Sequence, residues 1–382
     1  MHRVMLTAGL TLLMAGFLAV PAPADTFSDL DQCKFAGQFS NADQSIAACD
    51  RIIGDAKVTG SNRAAALSSR CGWRWVKQDA DRALADCNEA IGIESGGADA
   101  YINRGNVYLS KGDADRALND FNEAIKRDPH SAWAYNARGE IYKNQGDAGR
   151  AMADFSEAIR LNPDYAMAYG LRGQLYKSAG DFEHARADLN QSIRLDPNDA
   201  TAYFLRGTVS YLMGNNPAAL SDFTISLKID PKNQAVYFNR GIAYYVIGGR
   251  TPDAEADFRK AVELDPKDAY AAIWLDLAAR RNNAASRLRE QSAQLDLTAW
   301  PAPVMREFLG ESNAAQTLAA AHDDDPKINR GRSCEANFYS GEFALLGKNK
   351  QQALQMLKRA ASDCPRGYVE AAAAMAEVIA QR

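Results

Sequence analysis

Residues 100–129 read AYINRGNVYLSKGDADRALNDFNEAIKRDP, and residues 134–163 read AYNARGEIYKNQGDAGRAMADFSEAIRLNP. The second stretch is the first moved on by 34 residues. In the first, apolar and small residues recur at helical spacing up to Gly112, a helix-stopping residue. Asp113 is placed to cap a second helix, and Asp128-Pro129 ends it, because Pro cannot continue a helix and restricts the residue before it. Each stretch therefore predicts a helical hairpin. Small residues (Gly105, Ala117, Ala124) fall where two helices must approach closely, and large ones (Tyr101, Tyr108, Phe121) fall beside them. One hairpin cannot bury its own apolar face, whereas stacked hairpins can, which predicts an all-α solenoid.

The period runs on in both directions. Arg-Gly pairs stand at 104–105, 138–139, 172–173, 206–207 and 240–241, and Arg70 extends the ladder backwards. Pro129, Pro163, Pro197 and Pro231 keep the same step; Pro266 comes one residue late because the turn GGRTPDA holds an extra residue. The series Tyr101, Gly105, Tyr108, Ala117, Phe121, Ala124, Pro129 resembles the tetratricopeptide repeat (TPR), as does its copy Tyr135, Gly139, Tyr142, Ala151, Phe155, Ala158, Pro163. The resemblance implies a right-handed superhelix of six units over residues 64–268. A degenerate hairpin is expected at 25–63, a second degenerate hairpin with a non-TPR helical insertion at 269–333, and a further unit with a capping helix at 334–382. An Arg–Asp pair recurs in the units (Arg70/Asp86, Arg104/Asp120, Arg138/Asp154, Arg172/Asp188, Arg206/Asp222, Arg240/Asp257) and reads as a structural salt bridge. As surface pairs, these would contribute only ~0–1 kcal/mol each.

The chain begins MHRVMLTAGLTLLMAGFLAVPAPADTF: one early Arg, an uncharged apolar run, then Ala22-x-Ala24. This pattern predicts a secretory signal cleaved after Ala24, and hence a periplasmic or secreted protein without a transmembrane span in its mature chain. No Cys stands near the cleavage site to take a lipid. The formal net charge of −4 offers no basic footprint for nucleic acid.

The cysteines fit that compartment. Cys71 and Cys87 replace the Gly and Phe of the neighbouring copies and lie equidistant from the turn KQDAD. Cys33 and Cys49 share their spacing, and Cys334 and Cys364 straddle the turn GKNKQQ. Residues equidistant from the turn of an antiparallel hairpin lie at the same height, so each pair is positioned for a disulfide. Buried free thiols are the alternative. Zinc is disfavoured, with no close CxxC and no His beside the cysteines.

No motif carries chemistry. GxSxG, P-loop, HExxH and dinucleotide fingerprints are absent, and HDDDP at 322–326 lacks the spaced ligands of a calcium loop. We therefore expect no enzyme, no metal and no cofactor. In TPR proteins the first helix of each unit lines a concave groove. The resemblance places the polar residues Glu140, Lys143, Gln174 and Lys177 there, followed by the apolar and aromatic Phe204, Tyr211, Leu212, Phe238, Ile242 and Tyr245. Exposed aromatics in a groove are anchors for peptide or protein partners. The alternative is that residues 299–325 fill this end of the groove.

The stretches LTAWPAPVMREFLGES, CEANFYSGEFALLG and CPRGYVEAAAAMAEVIA resemble the C-terminal part of NlpI-like bacterial envelope adaptors. That likeness implies an envelope protease, a cell-wall hydrolase or an assembly factor as partner, and it is compatible with a homo-oligomer. The expectation is thus a non-catalytic periplasmic scaffold. A chaperone-like holder of exported polypeptides stands as the alternative, with a cell-wall enzyme behind it.

Overall fold

The computed structural model describes residues 26–34, 41–93, 97–365 and 367–381; the stretch expected to be a secretory signal, residues 1–24, lies outside the described residues. These form twenty-one helices and no strand. The chain divides into two compact units at Ala134/Tyr135. The first holds α1 (Thr26–Cys33), α2 (Ala42–Gly54), α3 (Gly60–Val76), α4 (Ala80–Gly92), α5 (Ala98–Ser110) and α6 (Ala114–Arg127). Helix α7 (Ala132–Asn144) runs across the division point. The second unit continues with α8 (Ala148–Leu161), α9 (Ala166–Ser178), α10 (Phe182–Leu195), α11 (Ala200–Leu212), α12 (Asn216–Ile229), α13 (Gln234–Ile247) and α14 (Thr251–Leu264). It closes with α15 (Ala269–Arg281), α16 (Leu288–Ser292), α17 (Ala302–Phe308), α18 (Ala314–Ala320), α19 (Pro326–Leu346), α20 (Lys350–Asp363) and α21 (Val369–Ala380).

The hairpins turn where the sequence says they should. Gly112 and Gly146 take φ of 77° and 79°, a left-handed conformation that a Cβ disfavours. The following Asp113 and Asp147 accept a hydrogen bond from the backbone N–H of Arg116 and Arg150, capping α6 and α8. The Arg-Gly step has a packing cause. A Cβ on Gly105 would stand 2.7 Å from the Phe121 ring, and one on Gly139 2.8 Å from the Phe155 ring. The same close approach recurs at Gly207 with Phe223 and at Gly241 with Phe258. Glycine on the first helix thus lets a fully buried Phe on the second come in against the backbone.

The neighbouring arginine is held by its hairpin mate. Arg104 donates from Nε and Nη2 to the two oxygens of Asp120 at 2.8 and 2.7 Å, and Arg138 does the same to Asp154 at 2.9 and 2.8 Å. The aspartates are buried, so these pairs are not the weak surface bridges the sequence implied. Arg104, Arg138, Arg172 and Arg240 also each lie between two tyrosines of their own helix; for Arg138 these are Tyr135 and Tyr142, at 5.5 and 5.8 Å from the ring centres.

In the first unit, Cys33 is bonded to Cys49 and Cys71 to Cys87; in the second, Cys334 is bonded to Cys364. The Cα atoms of Cys71 and Cys87 are 5.5 Å apart. These two cysteines sit one repeat before Gly105 and Phe121 and replace that contact with a covalent bond.

Candidate interaction groove

The first helices of successive hairpins in the second unit place equivalent residues 34 positions apart. One row runs Glu140, Gln174, Thr208, Ile242; the row beside it runs Lys143, Lys177, Tyr211, Tyr245. Both rows change from polar to apolar along the stack.

The polar end is half-buried. The Lys143 ammonium donates to Gln174 Oε1 at 3.4 Å. Burial pushes the Glu140 carboxyl up, with Lys143 pulling the other way, and burial alone pulls the Lys177 ammonium down. Tyr165, at the start of α9, is pushed up by burial and then by the charge of Glu140. Asn136 is buried on the same face, its amide directed to the sulfur of Met167, which is 54% exposed.

The apolar end differs from the expected open groove. Tyr211, Ile242 and Tyr245 are 3%, 0% and 1% exposed. Phe204, Leu212 and Phe238 are partly buried and packed against the same core. The cover is α21, which packs on α11, α13, α19 and α20. The Tyr211 hydroxyl donates to the carbonyl of Val369 at 3.2 Å, and the Tyr245 hydroxyl donates to Glu342 Oε2 at 2.7 Å. Trp274, fully buried, collects Phe238, Tyr245, Phe258, Phe338 and Tyr339 around it at 5.2–6.5 Å between ring centres. The physical reason is hydrophobic. This end of the stack carries enough aromatic surface to hold the chain's own C-terminal helices, and burying it removes that surface from water.

Residues 299–325 are not that cover. Their helix α17 sends Val304, Met305 and Phe308 into the same core, but it packs on α15 and α19. Asp325 of the acidic run caps α19, accepting from the N–H groups of Lys327 and Ile328. Among the described residues no cluster of His, Cys, Asp or Glu could hold a metal ion. No helix among them is long and apolar enough to cross a membrane.

Sequence reasoning missed the polar ties across the C-terminal core. Arg281 donates to Glu342 at 2.7 Å and to Glu377 at 2.8 Å, and its guanidinium stacks 4.0 Å over the Tyr245 ring. Glu335 Oε2 accepts from Trp300 Nε1 at 2.6 Å and from the Tyr270 hydroxyl at 2.8 Å. Tyr339 donates to Glu370 at 3.0 Å. Only Glu370 and Glu377, seven apart on one helix, carried a local signal. A cavity of about 600 Å3 between α14, α15 and α16 is also lined with acids. Each of these already has a basic partner: Glu255 with Arg259, Glu263 with Lys260, Asp276 with Arg280, Glu290 with Arg287.

A stack of helical hairpins with a half-open polar face defines a repeat scaffold for protein interaction. Its repeats are tetratricopeptide repeats. A family model described as TPR repeat matches residues 105–146 and 173–214, and two described as tetratricopeptide repeat match 132–165 and 211–269. The fold is a TPR solenoid. Among solved structures, YrrB, a TPR protein with an unusual peptide-binding site, is 25% identical over 48% of this chain and 95% of its own, with a TM-score of 0.42. MamA is 27% identical over 42% of this chain and 94% of its own, with a TM-score of 0.39. PilF of Pseudomonas aeruginosa is 18% identical over 59% of this chain and 97% of its own, with a TM-score of 0.48.

Proposed function

We propose that this protein is a non-catalytic scaffold of the bacterial envelope that holds a partner polypeptide along the inner face of its repeats. The partner would be an envelope protease, a cell-wall hydrolase or an assembly factor. The observation that carries the reading is the double row Glu140/Gln174 and Lys143/Lys177: a half-buried polar strip on consecutive inner helices, running on towards a stretch where a helix already lies. Polar groups so placed are partly desolvated before a partner arrives and offer it charged donors and acceptors at fixed spacing. The N-terminal secretory pattern and the three disulfides support an oxidising compartment.

The test is a photo-crosslinking residue at Gln174, compared with one at Arg160 on the exposed side of α8, in cells of the source bacterium. A few defined adducts from position 174, lost in Lys143→Glu/Lys177→Glu, support the scaffold. Equal adducts from both positions overturn the groove. A broad set of unfolded clients at position 174 converts the reading to a holder of exported polypeptides.

A further inference from the structure

Helix α21 occupies the groove as a ligand would, and four features show how it is held. First, the fully buried face consists of Glu370, Ala373, Ala374, Glu377 and Val378, with Val369, Ala371 and Ala372 partly buried beside it. Most of this apolar contact is made by alanine, and both acids need partners to be there at all. Second, the partners belong to the groove wall. Tyr339 donates to Glu370, Arg281 to Glu377, and Tyr211 to the Val369 carbonyl. Arg281 is fixed from behind by Glu342, itself 0% exposed, so its position does not depend on α21.

Third, nothing among the described residues roofs the helix. Met375 and Ile379, one turn apart on its outer face, are 48% and 59% exposed, so no side chain has to be removed for α21 to leave. Fourth, its tether is separately anchored. Cys364 at the end of α20 is bonded to Cys334 on α19, and the chain then passes Gly367 at φ +97° before α21 begins. That backbone conformation favours glycine, and it places a pivot between the covalent anchor and the helix.

We propose that α21 is a displaceable resident of the groove. The partner this end fits is an alanine-rich helix with an acid facing Arg281 and a hydrogen-bonding carboxyl or amide seven residues before it, which takes the place of α21 over Tyr211 and Tyr245. This rests on the scaffold reading and names its ligand class. The groove selects small side chains because α21 itself meets it with alanine. It selects an acid at the later position because the Arg281 guanidinium stands there, and a hydrogen-bond acceptor seven residues earlier because the Tyr339 hydroxyl donates there.

The experiment uses the full chain and a fluorescent peptide of its own residues 368–382, YVEAAAAMAEVIAQR, as the probe. In Glu377→Lys, the resident helix sets a lysine against Arg281 and loses the groove to the probe. The expected result is binding at least ten-fold tighter than to the wild-type chain. A peptide with the glutamate that matches Glu377 changed to Gln should bind that variant at least ten-fold weaker, because it loses the charge that Arg281 meets. Equal probe binding by the wild-type chain and a variant of unchanged helix content overturns displacement, and equal binding of the Gln peptide overturns the selection of an acid. Hydrogen exchange on the unaltered protein gives an independent answer. Amides of 369–380 should exchange by local opening ahead of those of 335–346, and equal protection of the two overturns the proposal. Adducts at Gln174 are read separately, so the scaffold reading survives or falls on its own result.

Discussion

The Tyr245 hydroxyl donates to Glu342 Oε2 over 2.7 Å, joining residues 97 apart in sequence inside the C-terminal core. Tyr245 therefore belongs to the packing of the second unit rather than to an open binding surface. Tyr245→Phe keeps the ring against Trp274 and Arg281 but takes one donor from a buried carboxyl. A loss of about 1–3 kcal/mol in urea unfolding is expected. Tyr245→Ala also empties the ring's space and should lose roughly 3–5 kcal/mol. If both variants unfold at the wild-type midpoint, Tyr245 is not core.

The acids of this core make stability depend on pH. Glu370 is pushed up to about 7, first by burial and then by the charge of Glu335; the Tyr339 hydroxyl pulls the other way. Glu342 is also pushed up, by burial first; Arg281 and the Tyr245 hydroxyl oppose this, and Glu377 reinforces it. Tyr211 of α11, Tyr270 of α15 and Tyr368, just before α21, are the other titratable groups that feel Glu370. A carboxyl whose folded value lies above its unfolded value binds its proton more tightly in the native state. Its stability contribution is thus complete below about pH 4 and is lost as pH rises through about 7. For Glu370 alone the difference is on the order of 3 kcal/mol. Urea unfolding at pH 5, 6, 7 and 8 should show falling stability, and Glu370→Gln should flatten the curve. A wild-type curve that rises over this range would sink the assignment.

The Arg138–Asp154 pair is open to the same kind of measurement. Asp154 is buried, and Arg138 is fixed between Tyr135 and Tyr142. Asp154→Ala leaves the guanidinium without its bidentate partner and should cost roughly 3 kcal/mol. Lys at position 138 cannot form the fork, so Arg138→Lys should not be silent either. Far-UV melting of the two variants beside an exposed control, Arg160→Lys, decides it.

The repeat was legible because its physics is local and periodic. Gly105 and Phe121 are 16 residues apart, and Gly139/Phe155 and Gly207/Phe223 repeat them, with Gly241/Phe258 one residue wider and Leu189 opposite Gly173, so a single chain shows the pattern several times. The burial of Tyr211 and Tyr245 was not legible for the opposite reason. In register they continue the row of Lys143 and Lys177, and nothing near them in sequence says that α21 comes back across more than 100 residues to cover them. The Arg281–Glu377 and Trp300–Glu335 ties are likewise single long-range contacts, with no second copy to reveal them. The polar strip was legible as composition. Its partial burial came only with the packing of α7 and α9.

The Cys71–Cys87 bond stands where the neighbouring hairpin holds a Gly–Phe contact. It occupies the register in which Gly105 meets Phe121, Gly139 meets Phe155 and Gly207 meets Phe223. Reduction should destabilise the first unit, since closing a loop of this size contributes roughly 3 kcal/mol in the chain-entropy model. Under the same reducing conditions, Cys71→Gly/Cys87→Phe should regain much of that loss, because it restores the Gly–Phe pair that four other hairpins use. Either single change should not. Cys71→Gly leaves a void beside a thiol, and Cys87→Phe drives a ring against the side chain of Cys71. Urea midpoints of the four proteins with and without reductant provide the comparison. A double variant no more stable than the reduced wild type would mean that the disulfide is not a substitute for the Gly–Phe contact and that this hairpin packs by other means.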